Sequence, residues 1–546
     1  MDLKPSNSTL SKTICELLKH HNIKNICISP GSRNTPLTNM LINDEFFNCY
    51  SILDERSSAY FALGISKSNG DSAVILTTSG TAVGNLLPAI IESDQSMSPL
   101  IIISADRPNK MIGTGENQTI NQQNIFKNNI RDFINVESEI DSSNSFVNKI
   151  NLMILKSKGL KEEPPGPIHI NIAFNEPLID ELNFKSFKIK TLKKESKSIS
   201  KSIKNYKRPL IVCGQIDTYK NINKKILNLS EKLNAPIIAE ITSQLRFNNT
   251  HPNILSHYEF FIEDIIEPDC IIQFGKKPTI SKKLTKLINN CEHRILLSDS
   301  KGYNDDCKNV FPLSCIIKIE NTTDSQWSSN LKSLNTSIES KLASLNDELF
   351  YDGSIISNIL KTLKNNDNVF IGNSLCIRNM NKYSINSNNS INIFCNRGAS
   401  GIDGITSTAL GMAIMNKEHN NLLITGDLSF IHDLNALLIA QLNKINLTII
   451  VMNNNGGQIF SKLPYAKTDD NFKKYWLTPQ KIQIKNIAQL YNLNYCEIDS
   501  LADLKEKFNH IIEDTTQNSN VNIIEIKCDT NNSSKTEKRI NDLIFN

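Results

Sequence analysis

The chain has 546 residues, enough for three or four domains at roughly 150 residues each with clefts between them, which excludes a peptide, a toxin or a single small module. Hydrophobic residues make up 39%, charged residues 21%, and Gly and Pro together only 39 of 546, a balance that excludes collagen-like and wholly disordered chains. The net charge of +4 does not mark a nucleic-acid binder: nine Lys and one Arg against Glu195 give Lys185 to Arg208 a local +9 and leave the rest at −5, and no basic stripe interleaved with aromatics occurs elsewhere.

The first residues are polar and then amphipathic, without an apolar core of signal-peptide length, and no later stretch approaches the ~18 apolar residues of a membrane span. The twelve cysteines are scattered singly from Cys15 to Cys528 with no CxxC, and Cys27, Cys213 and Cys315 sit in apolar runs where a thiol behaves as a small hydrophobe. A cytoplasmic protein in a reducing compartment is expected, with no membrane span and no nucleic-acid partner.

Short β-branched runs alternate with helical stretches along the chain, the pattern of parallel sheets covered by helices on both faces. Runs at Ile26 to Ser29, Ala73 to Thr77, Leu100 to Ser104 and Ile168 to Ile172 predict a first α/β domain over 1–183. The Lys-rich stretch 184–208 is a solvated linker. The pattern restarts at Pro209, Ala235, Cys270 and Arg294, predicting a central domain over 209–345 that ends in a polar helix near Asn330 to Asn346. Runs at Val369, Leu422, Leu447 and Val521 predict a third domain over 346–546. The fold class is α/β, with three doubly wound parallel-sheet domains and no repeat evident between them.

The most informative segment is Gly426-Asp427-Leu428-Ser429, followed by a helical stretch, a strand, and Asn453-Asn454-Asn455-Gly456-Gly457. Asp427 at one strand tip and Asn454 at the next, 27 residues on, are neighbours in a parallel sheet joined by one crossover helix, with both side-chain oxygens on one cleft. A hard cation such as Mg²⁺ wants such oxygens together with phosphate oxygens, so Asp427, Asn454 and the carbonyl of Gly456 could anchor a diphosphate. The helix starting near Ser429 adds N–H donors. This segment resembles the diphosphate-binding signature of thiamine-diphosphate enzymes, Gly-Asp-Gly and then Asn-Asn, with Leu428 in the third position. Such enzymes also need a carboxylate on the aminopyrimidine ring. Glu55, at the start of an amphipathic helix after the strand-like Tyr50-Ser-Ile-Leu, is the candidate; taken alone it is a helix-capping acid.

The resemblance then extends along nearly the whole chain. Ile28-Ser-Pro-Gly-Ser-Arg-Asn-Thr-Pro, Asp54-Glu-Arg-Ser, Thr78-Ser-Gly-Thr-Ala, Ala105-Asp-Arg-Pro, Gly115-Glu-Asn-Gln-Thr-Ile, Gly372-Asn-Ser-Leu, Asn396-Arg-Gly-Ala-Ser-Gly-Ile-Asp-Gly, Gly426-Asp-Leu-Ser-Phe-Ile-His-Asp and Asn453-Asn-Asn-Gly-Gly-Gln-Ile-Phe are similar to the 2-succinyl-5-enolpyruvyl-6-hydroxy-3-cyclohexene-1-carboxylate synthase family of menaquinone and phylloquinone biosynthesis, whose members carry Leu after Gly-Asp. It implies pyrimidine-binding, central and diphosphate-binding domains, thiamine diphosphate with Mg²⁺ or Mn²⁺, and a homodimer or homotetramer whose cofactor lies between the first domain of one chain and the third of another. The implied reaction decarboxylates 2-oxoglutarate and adds the resulting succinyl carbanion equivalent to isochorismate in a 1,4-addition.

The resemblance also implies roles for particular residues. Glu55 is catalytic; Glu55, Gly426, Asp427, Leu428, Ser429, Asn454, Gly456, Ile459 and Phe460 hold the cofactor, with Asp427, Asn454 and Gly456 on the metal. Ser32, Arg33, Arg107 and Gln118 fall where isochorismate binds. Lys282 and Lys283 are the central domain's contribution, and Ser374, Arg378 and Arg397 hold the succinyl end of the 2-oxoglutarate unit, as guanidinium groups suit carboxylates. Asn121 stands where the family usually has an acid, and His432 is read as ordering the diphosphate loop. The rival is a pyruvate-using carboligase, which Arg378 and Arg397 oppose because pyruvate has no distal carboxylate. A catalytically dead scaffold has no physical need for Glu55, Asp427 and Asn454 together, and a nicotinamide enzyme would need a GxGxxG after a strand.

Overall fold

The computed structural model describes residues 6–545 apart from 138–143, 161–162, 183, 185, 188, 190–199, 204–205, 248–249, 265–266, 320–322, 468–470 and 529. Much of the expected linker 184–208 therefore lies outside the described residues.

In chain order, Asn25–Ile28, Asn48–Ser51, Ala73–Thr77, Leu100–Asp106, Phe133–Glu137 and Pro167–Ala173 (β1 to β6) form an all-parallel sheet in the order β2-β1-β3-β4-β6-β5. Its central strands β3, β4 and β6 are buried at every residue, as continuous apolar runs require when helices cover both faces. Ser200–Ile203 (β7), inside the expected linker, pairs in parallel with Ile316–Ile319. Pro209–Cys213, Ile237–Ala239, Ile254–Leu255, Cys270–Phe274, Arg294–Leu297 and Val310–Phe311 (β8 to β13) form a second parallel sheet, β10-β9-β8-β11-β12-β13, the doubly wound order of dinucleotide-binding folds. Ile316–Ile319 is β14. A 24-residue helix, Ser325–Glu348, covers the predicted polar helix.

The third sheet comprises Asn368–Ile371, Asn392–Phe394, Asn421–Gly426, Leu447–Asn453, Asn494–Ile498 and Val521–Lys527 (β15 to β20) in the order β16-β15-β17-β18-β20-β19. Counted from its own first strand, that order is identical to the first sheet's. The chain thus carries a duplicated topology that no repeat in the residues reveals. In open parallel sheets ligands bind at the carboxyl ends of the strands near the point where strand order reverses. The loops after β1, β3 and β4 and those after β15, β17 and β18 hold most of the expected site residues.

The chain divides into two compact units. One comprises Met1–Ser196, Asn396–Met415 and Asp433–Asn443, the other Lys197–Cys395, Asn416–His432 and Lys444–Asn546. Within the first unit, the helix Glu55–Asn69 starts at an Asp54 cap that accepts from the Ser57 amide and ends at Gly70 in the left-handed region (φ 73°). It packs on the helix Ile405–Met415, buried from Ile405 to Ile414. The two touch backbone to backbone: a Cβ at Gly64 would lie 2.0 Å from the Thr408 carbonyl oxygen, and one at Gly411 would lie 2.0 Å from that of Phe61.

Among the described residues no helix is long and apolar enough to cross a membrane. All twelve cysteines are free, and burial pushes the Cys15 thiol up to about 12.

Overpacking a close helix contact costs about 1–3 kcal/mol. Gly64→Ala should therefore lower the thermal midpoint by several degrees, whereas Gly84→Ala, whose Cβ would meet nothing within 4 Å, should leave it unchanged. Equal midpoints in calorimetry would contradict the contact.

Candidate active site

Asp427 is the first residue of the short helix Asp427–His432, two residues earlier than the start expected near Ser429. It follows Gly426, whose register partner on β18 is Met452, so the 453–457 turn lies beside it as the spacing requires. The Gly456 N–H donates to Asp427 Oδ2 at 2.7 Å. Gly456 has φ 119°, and a Cβ there would lie 2.2 Å from the Leu477 carbonyl oxygen, so the turn needs glycine. Asn453 donates to Glu525 Oε1 at 2.6 Å, and Gln458 donates to the Asn454 carbonyl at 3.0 Å. Asp427, Ile431, Asn453, Asn455, Gln480 and Lys527 are among the residues lining a cavity of about 220 Å³.

These residues fit a diphosphate bound through a hard cation. Asp427 is 6% exposed, burial raises its pKa while the Gly456 and Leu428 amides oppose the rise, and it forms no ion pair among the described residues. A buried carboxylate held only by amides is complete when a cation joins it. Among the described residues no group of three His, Cys, Asp or Glu side chains could hold a metal, so a cation at Asp427 draws its remaining oxygens from amide side chains, carbonyls and a bound anion. Leu428 and Ile459 are half-buried, Ser429 is buried, and Phe460 is 37% exposed.

In the first unit Glu55 is half-buried at the helix start, and Asn85 Nδ2 donates to Glu55 Oε2 at 3.4 Å. The structure brings Arg33, Arg107 and Gln118 together at the carboxyl ends of β1 and β4. Arg107 donates to Ser79 Oγ and, at 2.9 Å, to the Gln118 carbonyl; Gln118 Nε2 donates to the Ser79 carbonyl at 2.9 Å. Burial, and next the positive charge of Arg33, hold the Arg107 guanidinium below its ordinary pKa. Arg33 donates to the Phe174 carbonyl at 3.1 Å and pairs with the mostly exposed Glu176 at 3.1 Å. Two neighbouring guanidinium groups suit an anionic ligand, although Asp106, Glu116 and Glu176 offset part of the charge at Arg107. Ser32 is exposed beside them.

In the second unit Ser374, at φ 66°, caps the helix Leu375–Tyr383, and Arg378 donates to its carbonyl at 2.7 Å. Lys282 and Lys283 are exposed at the start of the helix Lys282–Asn290, where Lys283 pairs with Glu263 at 2.8 Å. Arg397 belongs to the first unit, in a loop whose Gly398 and Ala399 amides donate to Glu92. His432 ends the Asp427 helix.

Five buried groups around these residues were not foreseen. Gln122 accepts from the Gly80 N–H at 2.8 Å and donates to Asn171 at 2.9 Å; Asn171 donates to Asp106 at 2.8 Å, and Asp106 accepts from the Arg107 amide at 2.7 Å. That chain fixes the loop under the Arg33 and Arg107 pair. Glu92 sits within the helix Leu87–Ser96, where the apolar run Leu87–Ile91 gives way to Ser93, Asp94, Gln95 and Ser96, and looks there like an ordinary solvated acid. Asp433, fully buried, accepts from the Ser407 amide at 2.7 Å and hydroxyl at 3.1 Å, 4.0 Å from Arg56; burial pushes its carboxyl up to about 7. The only sign of it was its place next to His432 in the Gly426 motif.

Residues 8–125 match the thiamine pyrophosphate enzyme, N-terminal TPP binding domain, and residues 379–525 match the thiamine pyrophosphate enzyme, C-terminal TPP binding domain. The 2-succinyl-5-enolpyruvyl-6-hydroxy-3-cyclohexene-1-carboxylate synthase of Staphylococcus epidermidis is 36% identical over 519 residues, covering 89% of each chain. The protein of the same name from Chlorobium phaeobacteroides is 34% identical over 593 residues, 100% of this chain and 99% of its own. That of Lysinibacillus sphaericus is 30% identical over 524 residues, 90% of each.

The Asp433 carboxyl binds its proton more tightly in the folded chain than in the unfolded one, where the value is 3.8. Its contribution to stability is therefore present below about pH 4 and lost as pH rises towards about 7. Asp433→Asn, neutral at every pH and still able to bond Ser407, should gain thermal midpoint relative to wild type as pH goes from 5 to 8. A difference that does not change with pH would contradict this.

Proposed function

The chain belongs to the 2-succinyl-5-enolpyruvyl-6-hydroxy-3-cyclohexene-1-carboxylate synthase family of thiamine-diphosphate enzymes, and we propose on that premise how its own residues divide the work. It is a transferase that decarboxylates 2-oxoglutarate and joins the remaining succinyl unit to isochorismate by 1,4-addition, in menaquinone biosynthesis. Bound thiamine diphosphate supplies the electron sink that lets the carboxylate leave as CO₂.

Glu55 hydrogen-bonds the aminopyrimidine ring and holds the proton exchanged there, a role that its place at the helix start and its half-buried carboxylate beside Asn85 support. Asp427, Asn454 and Gly456 hold Mg²⁺ or Mn²⁺ and through it the diphosphate, while Gly426, Leu428 and Ser429 cradle the phosphates and Ile459 and Phe460 pack against the thiazolium. Arg378 and Arg397, with Ser374, neutralise the distal carboxylate of 2-oxoglutarate. Ser32, Arg33, Arg107 and Gln118 take the carboxylates of isochorismate, with Lys282 and Lys283 adding positive charge. The observation that supports this division best is Asp427: a buried carboxylate, bonded by the next strand's glycine turn and without an ion pair among the described residues. The pyrimidine-binding, central and diphosphate-binding domains are assigned to 1–183, 209–345 and 346–546. The enzyme acts in the cytoplasm as a homodimer or homotetramer, Glu55 of one chain serving the diphosphate site of another.

Positioned proton transfer contributes about 10²–10⁴-fold to rate. Glu55→Gln should therefore fold, bind thiamine diphosphate and Mg²⁺ by calorimetry, and release CO₂ from 2-oxoglutarate at least ~100-fold more slowly. Turnover near wild type in that variant would end the assignment.

A further inference from the structure

Arg397 sits one residue before two backbone amides that grip a single buried carboxylate. The Gly398 N–H donates to Glu92 Oε1 at 2.9 Å and the Ala399 N–H donates to Oε2 at 2.6 Å. Lys67 Nζ lies 3.3 Å from Oε1, and the side chains of Glu92 and Lys67 are 2% and 7% exposed. Three directional contacts thus occupy a carboxylate that can accept about four hydrogen bonds, two of them charge-assisted bonds to neighbouring amides of one loop. The loop lies flush on the Leu87–Ser96 helix: a Cβ at Gly398 would fall 2.6 Å from the Ser96 amide nitrogen and 2.8 Å from the Glu92 carbonyl oxygen. Its far end is tied as firmly. Tyr60 donates to Asp403 Oδ2 at 2.5 Å, and Gly404, at φ 64°, leaves no room for a Cβ against the Tyr60 ring.

A buried ion pair is a weak way to stabilise a fold, since apolar residues of the same volume often serve as well. Glu92 also spends both oxygens on loop amides rather than on packing. Its partners are the backbone atoms that set the path of the loop.

We propose that Glu92 is a positioning residue for the acidic substrate: with Lys67 as counter-charge it fixes the 396–404 loop so that Arg397 is pre-set to receive the distal carboxylate of 2-oxoglutarate. This rests on the assignment of Arg397 made above. The Arg33, Arg107 and Gln118 cluster hangs on a separate set of bonds through Ser79, Gln122 and Asp106, so the clamp acts on one substrate and not on both.

The test uses the full chain loaded with thiamine diphosphate and Mg²⁺, with kcat and KM for each substrate measured on Arg397→Ala, Glu92→Gln, Gly398→Ala and the double variant Glu92→Gln/Lys67→Met. Gln offers one good acceptor where two amides need one each, so Glu92→Gln should raise the KM for 2-oxoglutarate about tenfold or more, misplacement of about 1 Å at a binding group being worth up to ~100-fold. The KM for isochorismate should stay within about twofold of wild type. The double variant removes both buried charges and should recover thermal midpoint without recovering that KM, which a merely structural role would not allow. Gly398→Ala, which pushes the loop off its helix while keeping the ion pair, should reproduce the KM change even if Glu92→Gln does not fold. If Arg397→Ala raises the KM for 2-oxoglutarate but folded Glu92→Gln or Gly398→Ala leaves it at the wild-type value, the clamp is overturned and the role of Arg397 stands. If Arg397→Ala itself has no effect on that KM, both fall. Recovery of KM together with midpoint in the double variant also overturns the proposal.

Discussion

The helix Glu55–Asn69 lies so close to the helix Ile405–Met415 that neither can carry a side chain where they cross. At Gly64 and Gly411 a single Cβ would sit 2.0 Å from the facing carbonyl oxygen, a separation no rearrangement of side chains could relieve, because the opposing atoms are backbone. With that crossing fixed, the helix presents three polar groups in a set order. Its Asp54 cap meets Asn435 at 2.6 Å, Tyr60 meets Asp403 at 2.5 Å, and Lys67 meets Glu92 at 3.3 Å. Glu55, the residue proposed to serve the cofactor's ring, and the loop that carries Arg397 are thus fastened to the same 15-residue rod.

Charge is sorted along these elements by burial. Asp427 and Asp433, six residues apart, both have raised pKa values with desolvation as the leading cause, yet their surroundings differ. Asp427 has only amide donors and no ion pair among the described residues, which suits the cation-binding role proposed for it. Asp433 has a hydroxyl, an amide and a distant Arg56, the state of a carboxyl that is satisfied without a cation. Arg107 shows the reverse arrangement: burial first, and then the positive charge of neighbouring Arg33, hold its guanidinium below the ordinary value, a setting suited to an anionic ligand.

What was legible in the sequence follows from the same physics. Strands buried on both faces read as continuous apolar runs, so β3, β4, β6, β11, β17, β18 and β20 were found. The edge strands Asn48–Ser51, Phe133–Glu137 and Asn494–Ile498 alternate or mix exposure, carry polar residues and were missed or only glimpsed. Ser200–Ile203 was hidden by Lys201 and the lysines that flank it, since a two-stranded ladder asks little of its side chains. The candidates Asp427, Asn454, Glu55, Arg33 and Arg107 stand out in the sequence because site residues on parallel sheets cluster at strand tips, in short motifs with recognisable neighbours. Glu92 was not, because its meaning depends on amides 306 and 307 residues further on, and nothing local distinguishes it from a capping or surface acid. The shared strand order of the first and third sheets was invisible for a related reason: topology is a property of connections, and the residues that build the two sheets show no evident repeat.

The most direct test of the account is a mass balance on the purified protein with thiamine diphosphate, Mg²⁺, 2-oxoglutarate and isochorismate. CO₂ release and isochorismate loss should run one to one, giving a single product with the mass of both substrates less CO₂. Turnover of pyruvate with no reaction of 2-oxoglutarate would contradict it.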